Sequence, residues 1–81
     1  MLDGACLMPS DFHRSLQAGY DCAREGMPLT GVYDSSEALD VALVTGWRLG
    51  NRANNPPLID PFAGRWPDVS QTIRRFGWVP K

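Results

Sequence analysis

Apolar residues recur at helical spacing in the first part of the chain. They stand three or four positions apart, which predicts the buried stripe of an α-helix: Phe12, Leu16, Gly19 with Tyr20, and Ala23. Ser10 precedes the stripe and is a favourable N-cap residue, while Gly26 and Pro28 follow it as stop signals. We therefore expect a first helix from about residue 10 to residue 25.

A second helix is predicted after a short loop. Asp34 is suited to be its N-cap, and Glu37 three residues later completes the pattern of a capping box. The helix is expected to continue to about Leu49, with Gly50 past its end. Apolar residues cover much of its circumference, as is typical of a central helix: Leu39, Val41, Ala42, Leu43, Val44, Gly46, Trp47 and Leu49.

Each predicted helix contains an interior glycine directly before a large aromatic residue. Gly19 precedes Tyr20, and Gly46 precedes Trp47. An interior glycine costs a helix about 1 kcal/mol relative to alanine. We expect that cost to be offset by packing, because facing glycines allow two helix axes to approach closely while the adjacent aromatics wrap around the opposite helix.

The character of the chain changes after residue 50. Residues 51–67 are rich in proline and asparagine, which predicts an extended arm. Its apolar residues are expected to cover the helix pair: Leu58, Ile59, Phe62 and Trp66. Residues 68–77 then predict a short third helix, with Asp68 as N-cap, Gln71 completing a capping box and Gly77 at the end.

These patterns predict a mainly α fold in one small domain, residues 1–81. It comprises a helical hairpin (10–50), the extended arm (51–67) and the short C-terminal helix (68–77). Hydrophobic residues make up 43% of the chain and charged residues 21%, which is typical of a globular domain. No apolar run is long enough to span a bilayer, and no secretory signal is recognisable, so we expect a cytoplasmic monomer. Two cysteines, Cys6 and Cys22, do not make a disulfide framework, although a single bridge between them stays open.

The net charge of −1 conceals an asymmetry between the two halves of the chain. Residues 1–40 contain seven acids and two arginines, a net charge of −5, whereas residues 41–81 contain six bases and two acids, a net charge of +4. A folded chain that kept these charges apart would steer a charged partner, whereas interleaved halves would mix them.

The glycines and aromatics also resemble a known family. The spacing Ala18-Gly19-Tyr20-x-x-Ala23-x-x-Gly26, followed by Tyr33 and then Gly46-Trp47-x-x-Gly50, is similar to ribosome modulation factors and the CrpP-like small proteins, over residues 15–51. The resemblance implies a helix–loop–helix scaffold that binds ribosomal RNA, and for the CrpP branch a claimed drug-phosphorylating activity. The chain departs from the family pattern at Gly31-Val32, at Leu43 and in the acidic character of this portion.

No pattern of catalytic, cofactor-binding or metal-ligating residues is recognisable. His13 and the two cysteines lack metal-ligand spacing, so we expect a surface histidine at position 13 and a small core or boundary residue at Cys22. Phosphate-binding loops and nucleophile motifs are also missing from the sequence. We therefore expect a protein that is not an enzyme and needs no cofactor.

The acidic first half suggests an inhibitory binding module that docks on the basic surface of a nucleic-acid-handling complex. Anti-CRISPR proteins and other factors of phages and mobile elements are comparable in style. The residues expected to contact such a partner form a predicted acidic face: Asp21, Glu25, Asp34, Glu37 and Asp40.

Two alternatives remain at this stage. The first is ribosome or RNA binding through arginines and aromatics, which can clamp phosphates and stack on bases: Arg48, Arg52, Arg65, Trp66, Arg74, Arg75 and Trp78. The same residues would equally suit a protein interface or a plain core with a solvated rim. The second alternative is a CrpP-like enzyme that modifies small molecules.

Overall fold

A computed structural model describes residues 9–31 and 34–81. These residues contain three α-helices and no strand: α1 (Pro9–Arg24), α2 (Ala38–Arg52) and α3 (Val69–Phe76). The predicted mainly α fold, with two packed helices and a short third one, is confirmed. The helix α1 begins one residue earlier than predicted, so that Ser10 lies in its first turn and not at the N-cap.

The contacts between α1 and α2 advance in the same direction along both helices. Gly46 packs on the backbone of Leu16, and Gly50, one turn further on, packs on the carbonyl of Tyr20. Beyond the end of α2, the Asn54 side chain donates a hydrogen bond of 2.6 Å to the carbonyl of Ala23. The two helices therefore run broadly parallel, whereas the predicted helical hairpin would have made them antiparallel.

The length of the connection explains how a parallel pair forms. Residues 25–37 can span roughly 40 Å when extended, whereas a helix of this size is only about 24 Å long. The chain can thus return from the end of α1 to its beginning before α2 starts. Loop length alone leaves both directions open, so the direction is determined by the packing of the helices.

Glycines bring the two helix backbones into direct contact. Gly19, Gly46 and Gly50 are all buried. A Cβ atom added to Gly19 would overlap the carbonyl of Leu43, and one added to Gly46 would overlap the carbonyl of Leu16. At Gly50 the added atom would lie 2.7 Å from the Tyr20 carbonyl. The close contact predicted at Gly19 and Gly46 is confirmed, and Gly50 extends it from inside α2.

The aromatic residues beside these glycines fill two separate apolar clusters. Trp47 is fully buried in a cluster with Ala23, Val44 and Phe62. Its Nε1 donates a hydrogen bond of 2.8 Å to the carbonyl of Met27. Tyr20 packs at the edge of a second cluster, in T-shaped contact with Trp78 at a centroid distance of 6.1 Å. The two rings thus pack on different sides of the glycine contact.

The capping box predicted at the start of α2 is wrong. Glu37, in extended conformation, is the N-cap of the helix, and its side chain makes no capping hydrogen bond. The Asp34 carboxylate instead accepts hydrogen bonds from Ser36 N, at 2.9 Å, and from Ser36 Oγ, at 2.7 Å. An aspartate carboxylate can accept hydrogen bonds from residues of such a local turn. The Asp34 carboxylate is therefore engaged in the turn and does not cap the helix. At the other end, Gly50 belongs to the helix, which continues to Arg52.

The third helix has the ends predicted from the sequence. The Asp68 side chain accepts a hydrogen bond of 3.1 Å from Gln71 N, and Gly77 ends the helix in the left-handed region at φ 63°. Phe76 stacks on Phe12 of α1 with centroids 4.9 Å apart. Trp78 then docks in the core with 4% of its surface exposed. This C-terminal part therefore covers the beginning of α1.

The segment between α2 and α3 is attached to the helices by polar and apolar contacts. The buried Asn51 side chain donates to the carbonyl of Leu58 at 2.8 Å and accepts from its amide at 2.7 Å. Phe62 is buried and contacts Trp47 edge-on. Ile59, in contrast, is 91% exposed, so its predicted covering role is wrong. Asn51 holds the backbone of Leu58, and in extended chain the next side chain points the other way.

We predict that Gly46→Ala destabilises the protein by about 2 kcal/mol or more, because the added methyl group would overlap backbone that cannot rotate away. Intrinsic helix propensity alone predicts the opposite, a gain of about 1 kcal/mol. Urea unfolding followed by circular dichroism measures the difference. The control is Ala18→Gly, at an exposed position of α1, which should cost only the propensity term. A more stable Gly46→Ala protein would contradict the close backbone contact.

Candidate partner-binding surfaces

The five acidic residues predicted to contact a partner lie in two groups. Asp21 and Glu25 stand one turn apart at the end of α1, beside the end of α2. The others surround the beginning of α2, and we call this group the α2 acidic end: Asp34, Glu37 and Asp40. Because the two helices run parallel, the groups occupy opposite ends of the helix pair. The structure therefore does not unite all five in one face.

The α2 acidic end is held together locally. Asp34 N donates a hydrogen bond of 3.0 Å to Oδ2 of Asp40. The two hydrogen bonds from Ser36, the backbone one first, hold the pKa of the Asp34 carboxyl below its ordinary value. Glu37 is exposed, and its carboxylate makes no capping hydrogen bond to the helix. Three carboxylates thus lie within seven residues, and the Asp34 charge persists into mildly acidic solution.

The acids at the end of α1 have a more mixed environment. Asp21 accepts a hydrogen bond of 2.8 Å from the side chain of Gln17. Arg24 lies on the same turn, with its Nη1 hydrogen-bonded to Asn54 Oδ1 at 2.8 Å. A fixed guanidinium among these carboxylates reduces their field. This group is therefore a weaker feature than the α2 acidic end.

The ion pair formed within residues 9–31 and 34–81 joins Arg48 to Asp60, with Nε and Oδ2 2.9 Å apart. It is partly buried: the side chains are 11% and 29% exposed. Asp60 also accepts a hydrogen bond from Phe62 N at 2.9 Å. None of the five predicted acidic residues takes part in an ion pair in the described portion of the chain, so their charges are not neutralised there.

The predicted arginine and aromatic set is also divided. Arg48 is engaged with Asp60, and Trp78 is buried, so neither is free to receive a nucleic acid. Trp66 is half-buried and packs edge-on against Phe62, with the ring centroids 5.8 Å apart. The remaining members are exposed and belong to three parts of the chain: Arg52 ends α2, Arg65 lies in the segment between α2 and α3, and Arg74 and Arg75 are on α3.

Metal-ligating residues do not cluster in the described part of the chain. His13 is half-buried, not a plain surface histidine: its Nε2 donates a hydrogen bond of 2.7 Å to the carbonyl of Phe76. Cys22 has a free thiol, and the open question of a Cys6–Cys22 bridge lies outside the described residues, as does Tyr33 of the family resemblance. Among α1, α2 and α3, no helix is long and apolar enough to cross a membrane.

One feature was missed by the sequence analysis, a groove between α1 and the C-terminal segment. Its volume is about 380 Å³, and of its lining residues only Trp78 belongs to a predicted site, so that its two cationic residues, Arg14 and Lys81, belong to none. The full lining comprises Ser10, His13, Arg14, Gln17, Trp78 and Lys81. Residues 10, 13, 14 and 17 are spaced so that they share one helical face, and this could have been predicted from the sequence. The approach of residue 81 to that face could not have been predicted from the sequence.

Comparison with known proteins yields no match: no family model fits this sequence, and searches of curated proteins and of solved structures find no similar chain. The resemblance to ribosome modulation factors stays a prediction drawn from residues 15–51.

We predict that Cys22 reacts more slowly with iodoacetamide at pH 8 than an unstructured cysteine does. Burial, and then the nearby Glu25 charge, raise the pKa of its thiol, so less of the reactive thiolate is present. Alkylation rates measured by mass spectrometry in a Cys6→Ser background test this. Glu25→Gln should increase the rate about twofold, whereas a rate equal to that of the unfolded chain in urea would contradict the partial burial of the thiol.

Proposed function

We propose that this chain is a non-enzymatic binding module that acts by occupying the basic surface of another protein or ribonucleoprotein. The contact is made by the α2 acidic end, with Glu37 at its centre. The observation that supports this is the combination of exposure and missing ionic partners among the described residues: Asp34 and Glu37 are exposed, Asp40 is half-buried, and no arginine or lysine there pairs with the three carboxylates.

Carboxylates without an internal ionic partner are well suited to bind a basic surface. No internal ion pair has to break before they dock, so the attraction to a basic surface is not reduced by a competing contact. Like-signed charges within one short stretch also accelerate encounter with a surface of opposite sign, and this effect falls steeply with ionic strength.

The binding surface proposed here is narrower than the acidic face predicted from the sequence. Asp21 and Glu25 are at the far end of the helix pair and share their turn with Arg24. A partner that contacts the α2 acidic end would have to extend along the full length of both helices to reach them. We therefore assign these two acids no primary role in docking.

The partner best matched to a compact acidic end is a channel lined by lysine and arginine, of the kind that holds nucleic acid. Free RNA or DNA would be repelled by the same carboxylates. Occupying such a channel inhibits the complex without any chemistry. CRISPR surveillance complexes and other nucleic-acid-handling machines contain channels of this type, and the identity of the partner is left to the capture experiment.

The first test captures partners from a lysate of the source organism with the tagged protein and compares two matched variants. Glu37→Lys and Glu25→Lys each change the net charge by +2 at an exposed position, but at opposite ends of the helix pair. We expect Glu37→Lys to slow association with the captured partner about tenfold at low salt, and Glu25→Lys to change it by less than about twofold.

Biolayer interferometry with the identified partner gives both association rates, and circular dichroism confirms that the variants are folded. An equal decrease of the association rate in the two variants would show that binding depends on the net charge of the protein and not on the α2 acidic end. Full retention of binding by Glu37→Lys would overturn the assignment of the α2 acidic end.

A second prediction separates this function from RNA binding. Because Arg48 is paired and Trp78 is buried, we expect no saturable binding of a fluorescent single-stranded RNA or of ribosomal RNA at 100 mM salt by anisotropy. Binding that weakens steeply with salt and disappears in Arg74→Ala/Arg75→Ala would instead support the ribosome modulation factor-like alternative.

A further inference from the structure

The groove between α1 and the C-terminal segment has fixed walls. On one side, His13 Nε2 donates to the Phe76 carbonyl at 2.7 Å; on the other, Gln17 Oε1 accepts from Lys81 N at 3.1 Å. Trp78 lies between these two hydrogen bonds along the chain and is anchored in the core by its contact with Tyr20. The segment is therefore held against α1 at both ends of the groove.

The hydrogen bonds that hold the walls also determine which groups are left for a ligand. Both polar atoms of Gln17 are engaged, since its Nε2 donates to Asp21 at 2.8 Å while its Oε1 accepts from Lys81 N at 3.1 Å. His13 uses Nε2 on a carbonyl, which leaves Nδ1. The Arg14 guanidinium, the Lys81 ammonium and the Ser10 hydroxyl belong to exposed residues and have no ionic partner in the described portion of the chain.

The charged side chains of the lining have one sign. Two permanent cations and a histidine line the groove, and no acidic side chain is among its lining residues. A volume of about 380 Å³ falls in the range of small-molecule sites, roughly 300–1,000 Å³. Apolar surface from the methylene stems of Arg14 and Lys81, with the small exposed part of Trp78, accompanies the charges.

We propose that this groove binds a small phosphorylated molecule, with the phosphate dianion held between Arg14 and Lys81 and supported by the Ser10 hydroxyl. Guanidinium and ammonium groups form charge-assisted hydrogen bonds to phosphate oxygens, and a dianion uses both cations at once. The organic part of the ligand lies along the methylene stems of Arg14 and Lys81, beside the small exposed part of Trp78. This site is distinct from the α2 acidic end and does not depend on it.

The test titrates the full-length protein with AMP, inorganic phosphate and adenosine, and follows the Trp78 indole N–H and the Gln17 side-chain amide by NMR. AMP should saturate both signals with a Kd of about 1 mM or lower. Inorganic phosphate should shift the Gln17 signal more weakly, and adenosine should shift neither. Arg14→Ala/Lys81→Ala should weaken AMP binding at least tenfold.

The matched control is Arg52→Ala/Arg65→Ala, which removes the same charge from exposed arginines outside the groove. It should leave AMP binding within about twofold of the parent protein. Equal losses in the two double variants would overturn the proposal, as would the lack of any AMP-dependent shift up to 10 mM. A response to adenosine equal to that of AMP would also overturn it, because the phosphate would then contribute nothing.

Discussion

The fold depends on backbone contact between two helices that no side chain separates. Gly19, Gly46 and Gly50 present bare backbone to the carbonyls of the facing helix, so that α1 and α2 lie closer than larger residues would permit. Such a contact fixes register as well as distance, because a shift of one residue along either helix would place a side chain where only a glycine fits. The direction of the pair follows from the same constraint. Gly46 and Gly50 meet Leu16 and Tyr20 in that order, and the long connection of residues 25–37 accommodates the parallel arrangement that results.

The parallel arrangement decides how the charges of the chain are distributed. In an antiparallel hairpin, the acids at the end of α1 and those at the start of α2 would adjoin the same loop and form one face. In the parallel pair they separate by the length of a helix, and the basic C-terminal part of the chain covers the beginning of α1 through Phe76 and Trp78. The two halves of the sequence thus interleave in space. What remains of the asymmetry is local: a carboxylate group at the start of α2 and a cationic groove beside the start of α1.

The sequence was sufficient where a residue acts on its immediate neighbours. Asp68 and Gly77 delimit α3 as predicted, because both caps are formed within a few residues. It was insufficient where two local structures compete, as at Asp34, whose carboxylate could serve the helix or the Ser36 turn and serves the turn. The glycines showed that the helices touch, but helix direction depends on contacts between residues about thirty positions apart. The groove could not be predicted from the sequence for the same reason, because the contact between Lys81 and Gln17 joins residues that are far apart along the chain.

The residues assigned to binding carry little of the fold, and this separation has consequences for how the protein works. Glu37 makes no capping hydrogen bond, and Arg14 is exposed without an ionic partner in the described part of the chain, whereas Arg48 and Asp60 form a partly buried pair within the fold. A domain of this size has only a small stability margin, and altering a charged residue with a structural role removes part of that margin. Charges that stand outside the core can respond to a partner freely. In this protein the glycine contact supplies rigidity, and the surface charges at the start of the two helices are left to determine what binds.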